Sequence, residues 1–294
     1  VFLQTGLTPL QVAREIVEVI DPGQVTLLVR CPSLGRYRYG LAPGGPFDVE
    51  AAMSANRAAG NAPDAPLLEC TLVGPTLRFH EPLILSWYGA EARIRIEGSM
   101  VETPYQFRVE AGQTLEVGAL VRGARGWLAL QGGLLDPAPR HVIFPTRVAA
   151  GQIIHVQRAS DATARIKNLV RESPLLIRAL PGPHPIDPRL LEQIAERAWR
   201  VTPILDRTGI RLESERLSYE PPSLLPSCPM QFGTVQWHPN GELVIMGPDH
   251  PVTGGYLQVL TVLSSELWKL AQLRPGDEIR WEIGGGGDGR GKRI

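Results

Sequence analysis

Thirty-one glycines and 27 prolines punctuate this 294-residue chain and leave only short apolar runs between turns. Proline removes a backbone donor and glycine loses the most entropy on ordering, so long helices are the outcome least compatible with this punctuation. The runs Val25–Val29, Thr71–Val73, Leu83–Trp87, Ala92–Ile96, Trp127–Leu130 and Leu243–Met246 are apolar or alternating and bounded by turn formers. They predict strands, and the chain predicts as mainly β with a few short helices.

A recurrence points to a barrel-like arrangement. The pattern Ala or Pro, Gly, Gln or Asp, then an apolar alternation recurs at Ala111-Gly112-Gln113-Thr114-Leu115, Ala150-Gly151-Gln152-Ile153-Ile154 and Pro275-Gly276-Asp277-Glu278-Ile279. Each copy predicts a tight turn with glycine at positive φ, feeding a strand with one inward face. Helical periodicity interrupts the β pattern at Pro9–Ile16, Val49–Ala59, Pro188–Trp199 and Ser265–Leu273. Asp48 and Ser264 or Ser265 are expected N-caps for the second and fourth of these, and Leu190, Leu191, Ile194 and Ala198 are the expected buried stripe of the third.

Pro181-Gly182-Pro183-His184-Pro185 breaks regular structure and marks the expected boundary between a first β lobe, 17–180, and a second, 186–283. The glycine-rich end from 284 to 294 is expected to be a loose tail.

Thirty basic and thirty acidic residues cancel, so no long-range field favours nucleic acid or an anionic membrane. No apolar stretch approaches the roughly 20 residues of a membrane helix. No secretory pattern opens the chain, and export is not expected. Cys31, Cys70 and Cys228 are odd in number and far apart in sequence. They predict neither a disulfide framework nor a zinc site, and they fit a reducing cytoplasm. None has a histidine beside it in sequence, and the histidines lack ligand spacing, so neither thiol catalysis nor a metal is expected.

Three clusters carry candidate chemistry. The first holds Gly35-Arg36, Tyr39-Gly40 and Gly44-Gly45-Pro46-Phe47-Asp48 before a helix with Asn56 and Gly60-Asn61. Glycine-rich backbone entering a helix favours an anion, and Arg36 can clamp a carboxylate or phosphate. The G-K-[ST] ending of a Walker loop is absent. The second is the strand Gly126–Leu130 with Gln131-Gly132-Gly133, where paired glycines admit a close backbone or a ligand. The third joins Gly233-Thr234-Val235-Gln236, a hairpin at Asn240-Gly241, and Asp249-His250-Pro251-Val252-Thr253-Gly254-Gly255-Tyr256. Its hairpin delivers Gln236 and the Asp249 loop to neighbouring positions, where Asp249 and His250 can act as acid, base or orienting groups and Thr253 with the glycine amides can hold an oxyanion.

In this order and spacing the clusters resemble the carboxyltransferase-domain family that contains the C subunit of prokaryotic 5-oxoprolinase. The resemblance runs from about Val17 to Ile283. It rests on Glu18-Val19-Ile20-Asp21-Pro22-Gly23, Ala55-Asn56-Arg57-Ala58-Ala59-Gly60-Asn61, Leu68-Glu69, Gly74-Pro75-Thr76-Leu77-Arg78-Phe79, Asp206-Arg207-Thr208-Gly209-Ile210-Arg211-Leu212, Thr253-Gly254-Gly255-Tyr256 and Leu267–Asp277. It implies cyclophilin-like β-barrel subdomains. It implies membership of an ATP-dependent amidohydrolase complex that opens 5-oxoproline to glutamate, with ATP as co-substrate of the complex. The partners implied are a protein like the B subunit of 5-oxoprolinase, similar to an inhibitor of a sporulation kinase, and a protein like its A subunit. The alternatives are a carboxyltransferase component of a urea-carboxylase-like enzyme, using biotin on a separate carrier, and a regulatory binding protein without chemistry. The site residues expected are Asp249, Thr253 and Arg36 for chemistry, and Tyr39, Asp48, Asn56, Gly132, Gly133, Arg207, Gln236, Gly254, Gly255 and Tyr256 for substrate. Pro32-Ser33 stands where relatives carry Gln-Asp, and the family's middle G-S-R-S segment is unrecognisable around Pro139–Thr146. These departures imply an altered substrate, or a structural role beside a partner that carries the chemistry.

Overall fold

The computed structural model describes residues 14–102, 105–135, 145–157, 176–220 and 225–284. The chain divides into two compact units. The first takes the described residues up to Cys31, then Glu50–Val121, and from Arg125 through residue 157. The second takes Pro32–Val49, Arg122–Ala124 and the described residues from 176 onward. The expected lobes run in sequence order, whereas this grouping moves the first glycine-rich cluster into the second unit.

In the first unit the strands are β1 (Arg14–Asp21), β2 (Val25–Val29), β3 (Leu67–Thr71), β4 (Thr76–Phe79), β5 (Leu83–Ile96), β6 (Ser99–Met100), β7 (Phe107–Val109), β8 (Thr114–Leu130), β9 (Thr146–Arg147) and β10 (Ile153–Val156), accompanied by helix α1 (Val49–Ala58). They form a ten-stranded sheet whose main path runs β10-β1-β4-β8-β3-β2-β9, with β5 pairing β6, β7 and β8. Its core gathers Val17, Val19, Leu68, Leu77, Phe79, Leu85, Leu115, Leu128 and Leu130.

The helix expected over Pro9–Ile16 is corrected at its described end, because Arg14–Ile16 lie in β1 and the remainder falls outside the described residues. β1 is sandwiched between β10 and β4, and ladder hydrogen bonds on both edges override a short helical period. The strand expected over Thr71–Val73 stops at Thr71, where Leu72 turns to φ 60°. The two runs Leu83–Trp87 and Ala92–Ile96 are one strand, β5.

The second unit contains β11 (Leu176–Pro181), α2 (Pro188–Glu196), β12 (Trp199–Leu205), β13 (Gly209–Glu213), β14 (Cys228–Pro229), β15 (Thr234–Trp237), β16 (Leu243–Met246), β17 (Thr253–Gly254), β18 (Leu257–Val262), α3 (Leu267–Leu270) and β19 (Glu278–Ile283). Seven of these strands close a barrel in the order β11-β18-β15-β16-β13-β12-β19, and β14 pairs with β17 as a separate ribbon. Alternation builds the barrel interior: Ile177 and Ala179, Ile210 and Leu212, Ile279 and Trp281 are buried while their neighbours along each strand are less so. The mainly β class with barrel architecture is thus what the alternating runs require.

Pro188–Trp199 is helical only to Glu196, and Trp199 opens β12. Asp187, followed by Pro188 at the first helical position, caps α2 by accepting from the Arg189 amide at 2.9 Å. The Ser265–Leu273 helix reduces to a 3-10 turn over Ser264–Glu266 and the single turn α3, and neither start has a side-chain cap bond, so Ser264 and Ser265 are not caps. Pro181 ends β11 within the barrel sheet, paired with Leu260. The expected tail lies outside the described residues beyond Gly284.

The three recurrent turns share one geometry. Gly112, Gly151 and Gly276 sit at φ 83°, 76° and 90°, with nothing within 4 Å of an added Cβ, so backbone conformation rather than space selects glycine. The residue after each glycine folds its side-chain oxygen back onto the amide three residues earlier: Gln113 onto Glu110 at 2.8 Å, Gln152 onto Ala149 at 3.0 Å, and Asp277 onto Arg274 at 2.8 Å. The glycine amides then donate to a neighbouring strand, at the Phe79, Val19 and Val201 carbonyls respectively. Gly276→Ala is expected to cost about 1–2 kcal/mol, the left-handed penalty of an L-residue, as a lowered urea midpoint. A cost near zero would show that the turn relaxes.

Candidate functional site

Within the second unit, the loop from Asp249 to Tyr256 is pinned at several points. At its start, Arg207 projects from the β12–β13 turn, where the Asp206 carboxylate accepts from the amides of Thr208 and Gly209 at 2.7 and 3.0 Å. The guanidinium donates from Nε and Nη2 to both oxygens of Asp249, at 2.7 and 3.0 Å, and from Nη2 to the Gly45 carbonyl at 2.6 Å. The side chains are only 10% and 13% exposed. This fork joins three separate segments: the turn, the Asp249 loop and the glycine-rich cluster 44–48. Gly247 lets the strands meet there, since a Cβ would fall 2.2 Å from the Arg207 carbonyl oxygen.

His250 is 2% exposed. Its Nδ1 faces the Pro251 carbonyl at 2.8 Å, which fixes the proton on Nδ1 and leaves Nε2 to face the Tyr37 hydroxyl at 3.4 Å. Burial lowers the pKa of His250, only partly offset by Pro251 and Asp249, and burial raises that of Tyr37. The folded protein therefore holds His250 neutral where the unfolded chain would protonate it. Stability is fully present above the ordinary histidine value of 6.5 and is lost as pH falls below it. Unfolding midpoints are expected to drop as pH falls through the histidine range, above the range of the carboxylates. His250→Gln should flatten that drop, leaving the share of His238, whose pKa is also lowered, chiefly by burial. An unchanged slope would remove His250 as a source.

Further along, Val252 accepts from the Met230 amide at 2.9 Å, β17 pairs β14 with Gly254 opposite Cys228, and Gly255 accepts from the Leu225 amide at 2.7 Å. Gln236 lies against this ribbon. It is 3% exposed, on the face of β15 opposite Val235 and Trp237. Its Nε2 has no hydrogen-bond partner among the described residues and lies 2.6 Å from where a Gly254 Cβ would stand. Met230, Val244 and Met246 form an apolar cluster close by. A buried amide donor left unbonded costs about 1–3 kcal/mol. Trp237, His238 and Trp281 each carry a buried nitrogen without a partner among the described residues too; Gln236 Nε2 is set apart by abutting Gly254 of this loop. Tyr256 stacks on His238 with ring centroids 4.2 Å apart, and His238 Nε2 is likewise buried without a partner among the described residues.

Of the residues expected from sequence, the structure brings Gln236 and Gly254 into contact and places Asp249, Thr253, Gly255 and Tyr256 on one loop held by Arg207. Thr253 is exposed. Arg36 precedes and Tyr39 ends a 3-10 turn, where the Arg36 carbonyl accepts from the Tyr39 amide at 2.9 Å; Tyr39 is 65% exposed and Asp48 is 4% exposed. Asn56, Gly132 and Gly133 belong to the first unit. There Asn56 donates to the carbonyls of Ala65 and Pro63 and accepts from Asn61, while Asn61 also donates to Leu130 and accepts from the Gly132 amide. Gly132 has φ 94°, and a Cβ there would fall 2.1 Å from the Gln157 carbonyl. This network joins the end of α1 to the end of β8 and gives Asn56 a structural role. Met230 and Tyr37 carry no sequence signal, and their places become visible only once distant segments meet.

Residues 39–283 match the family described as carboxyltransferase domain, subdomain A and B. The chain is 28% identical over 280 residues to the C subunit of 5-oxoprolinase from Haemophilus influenzae, covering 91% of each. It is 26% identical over 304 residues to urea amidolyase of Saccharomyces cerevisiae, covering 90% of this chain and 16% of that protein. The crystal structure of TTHA0988 is similar at a TM-score of 0.82 and 28% identity, over 91% of this chain and 55% of that one.

Proposed function

We propose, on the premise that this chain belongs to the family of the carboxyltransferase domain, subdomains A and B, that it is one component of an ATP-dependent 5-oxoprolinase-type amidohydrolase complex. The observation that carries this reading is correspondence with the C subunit of a 5-oxoprolinase over 91% of both chains. The partners on this reading are proteins resembling the B and A subunits of 5-oxoprolinase, and ATP is a co-substrate of the complex.

In such a reaction a phosphoryl group moves to the amide oxygen, and water opens the activated ring. Gln236 Nε2, a buried donor without an acceptor among the described residues that abuts Gly254, would bind a carbonyl or carboxylate oxygen of the cyclic amide. Arg36 and the backbone amides of the glycine-rich cluster would hold a carboxylate or phosphate. Thr253, Gly254, Gly255 and Tyr256 would line the loop that meets substrate. Asp249 would act as a positioning residue, because Arg207 occupies both of its oxygens. The deciding experiment is ATP hydrolysis and glutamate release on adding 5-oxoproline, to this chain alone and with its copurified partners. Release only in the mixture supports the reading, and silence in a stable, intact complex overturns it.

The similarity to urea amidolyase over 90% of this chain supports a second reading, carboxyl transfer from biotin on a separate carrier. Copurification of a biotinylated partner, with no glutamate release, would favour it. No described helix is long and apolar enough to cross a membrane.

A further inference from the structure

No histidine adjoins Cys228 in sequence, His238 coming nearest, yet it is His184 that stands beside it. The His184 Nε2 lies 3.3 Å from Sγ, and Gln258 Nε2 donates to the same sulfur at 3.2 Å. Gly182 makes this approach possible, since a Cβ there would fall 2.0 Å from the Gln258 carbonyl oxygen. The Pro181–Pro185 segment expected as a boundary therefore also delivers a side chain, and Cys228, with no histidine beside it in sequence, has one beside it in space.

The tautomer of His184 follows from its other nitrogen. Nδ1 accepts from the Gln258 main-chain N–H at 3.0 Å, so it carries no proton and Nε2–H faces the sulfur. His184 is thus a donor to Cys228 and no base for it. The same proton makes Nε2 a poor metal ligand, because a metal needs that lone pair free. Two N–H groups face Sγ, with Gln258 sharing its amide with the Pro229 carbonyl at 3.1 Å and the thiol facing the Gly254 carbonyl at 3.9 Å, and hydrogen bonds donated to a sulfur favour negative charge on it. A third N–H donor stands close by: Gln236 Nε2, buried and unpartnered among the described residues, abuts Gly254, which is the cross-strand partner of Cys228.

We propose that Cys228 is an oxidant-reactive modification site, whose cysteine sulfenate is held by the N–H groups of His184, Gln258 and Gln236. The reactant is a hydroperoxide such as hydrogen peroxide. The thiol loses its proton to solvent, and the thiolate attacks one peroxide oxygen. The S–O bond forms as the O–O bond breaks, the leaving hydroxide takes a proton from solvent, and the sulfenic acid so formed gives its proton to solvent to become the sulfenate. Sulfur is oxidised by two electrons and the peroxide is reduced. This inference does not depend on the identity of the reaction catalysed.

The other cysteines are internal references. Cys31 is exposed, with its pKa raised by burial and by Asp64, so the variants of His184 and Gln258 carry the comparison; Cys70 is fully buried, its pKa pushed up to about 12 by desolvation. The test treats the full chain with dilute hydrogen peroxide and dimedone, which captures sulfenic acid, and measures each cysteine by mass spectrometry. Cys228 is expected to be labelled about tenfold faster than Cys31 although Cys31 is the more accessible, as a site-specific activation requires. His184→Phe and Gln258→Met should each bring Cys228 to or below the Cys31 rate. Labelling of Cys70 would report unfolding and identify a variant to discard in favour of the other. Equal or slower labelling of Cys228 in the unmodified protein overturns the proposal, as does a rate unaffected in a folded variant.

Discussion

Arg207→Met is expected to destabilise the protein by about 3–5 kcal/mol, the cost of stranding one partner of a buried ion pair. The substitution keeps most of the packing volume but removes both donors to Asp249 and the donor to the Gly45 carbonyl. The carboxylate, only 13% exposed in the intact fork, is then left with its charge uncompensated. Urea unfolding followed by tryptophan fluorescence measures the loss. The double variant Arg207→Met, Asp249→Leu should recover much of it, because replacing both partners removes the stranded charge together with the pair. A single-variant cost below about 1 kcal/mol, the worth of an exposed pair, would mean that solvent reaches the fork.

Gln236→Leu is expected to move stability and function in opposite directions. Leucine fits the apolar surroundings of Met230, Val244 and Met246 and removes a buried donor that has no acceptor among the described residues, so stability should rise by about 1 kcal/mol. If that donor exists for substrate, 5-oxoproline turnover by the assembled complex should fall about a hundredfold, as when one preorganised donor is lost. Full activity would show that the amide has no catalytic or binding task. A loss of stability with activity retained would make Gln236 a structural residue.

Local chemistry makes much of the fold legible. Alternation at Ile279 and Trp281, or Ile210 and Leu212, states which face goes inward, and the glycines at 112, 151 and 276 announce turns that share one hydrogen-bonding scheme. Elements whose nature depends on partners elsewhere are not legible. β1 is a strand because β10 and β4 claim its two edges, and its own residues carry only a weak helical period. The site divides in the same way. The Asp249–Tyr256 loop is readable as a motif, but the Arg207–Asp249 fork spans 42 positions and the His184–Cys228 approach 44. No local pattern encodes such distances. Gln236 stands out by its neighbours in sequence, while its missing partner is a property of the packed structure alone.

The barrel is closed by its last strand, β19, which lies between β11 and β12. It runs parallel to β11, Leu176 opposite Arg280 through Ala179 opposite Ile283, and antiparallel to β12. The other pairings in that barrel can form before β19 exists, but these two need residues 278–283. During synthesis, β11 must therefore wait with both edges unpaired until β18 is made, and with one edge still unpaired until β19 follows, roughly a hundred residues' worth of translation in all at about 5–20 residues per second. For those several seconds the nascent chain exposes a strand edge of the kind that other chains can pair with. Shielding of that edge on the ribosome, by a chaperone or by a binding partner made alongside, would then govern the yield of folded protein more than the stability of the finished barrel does.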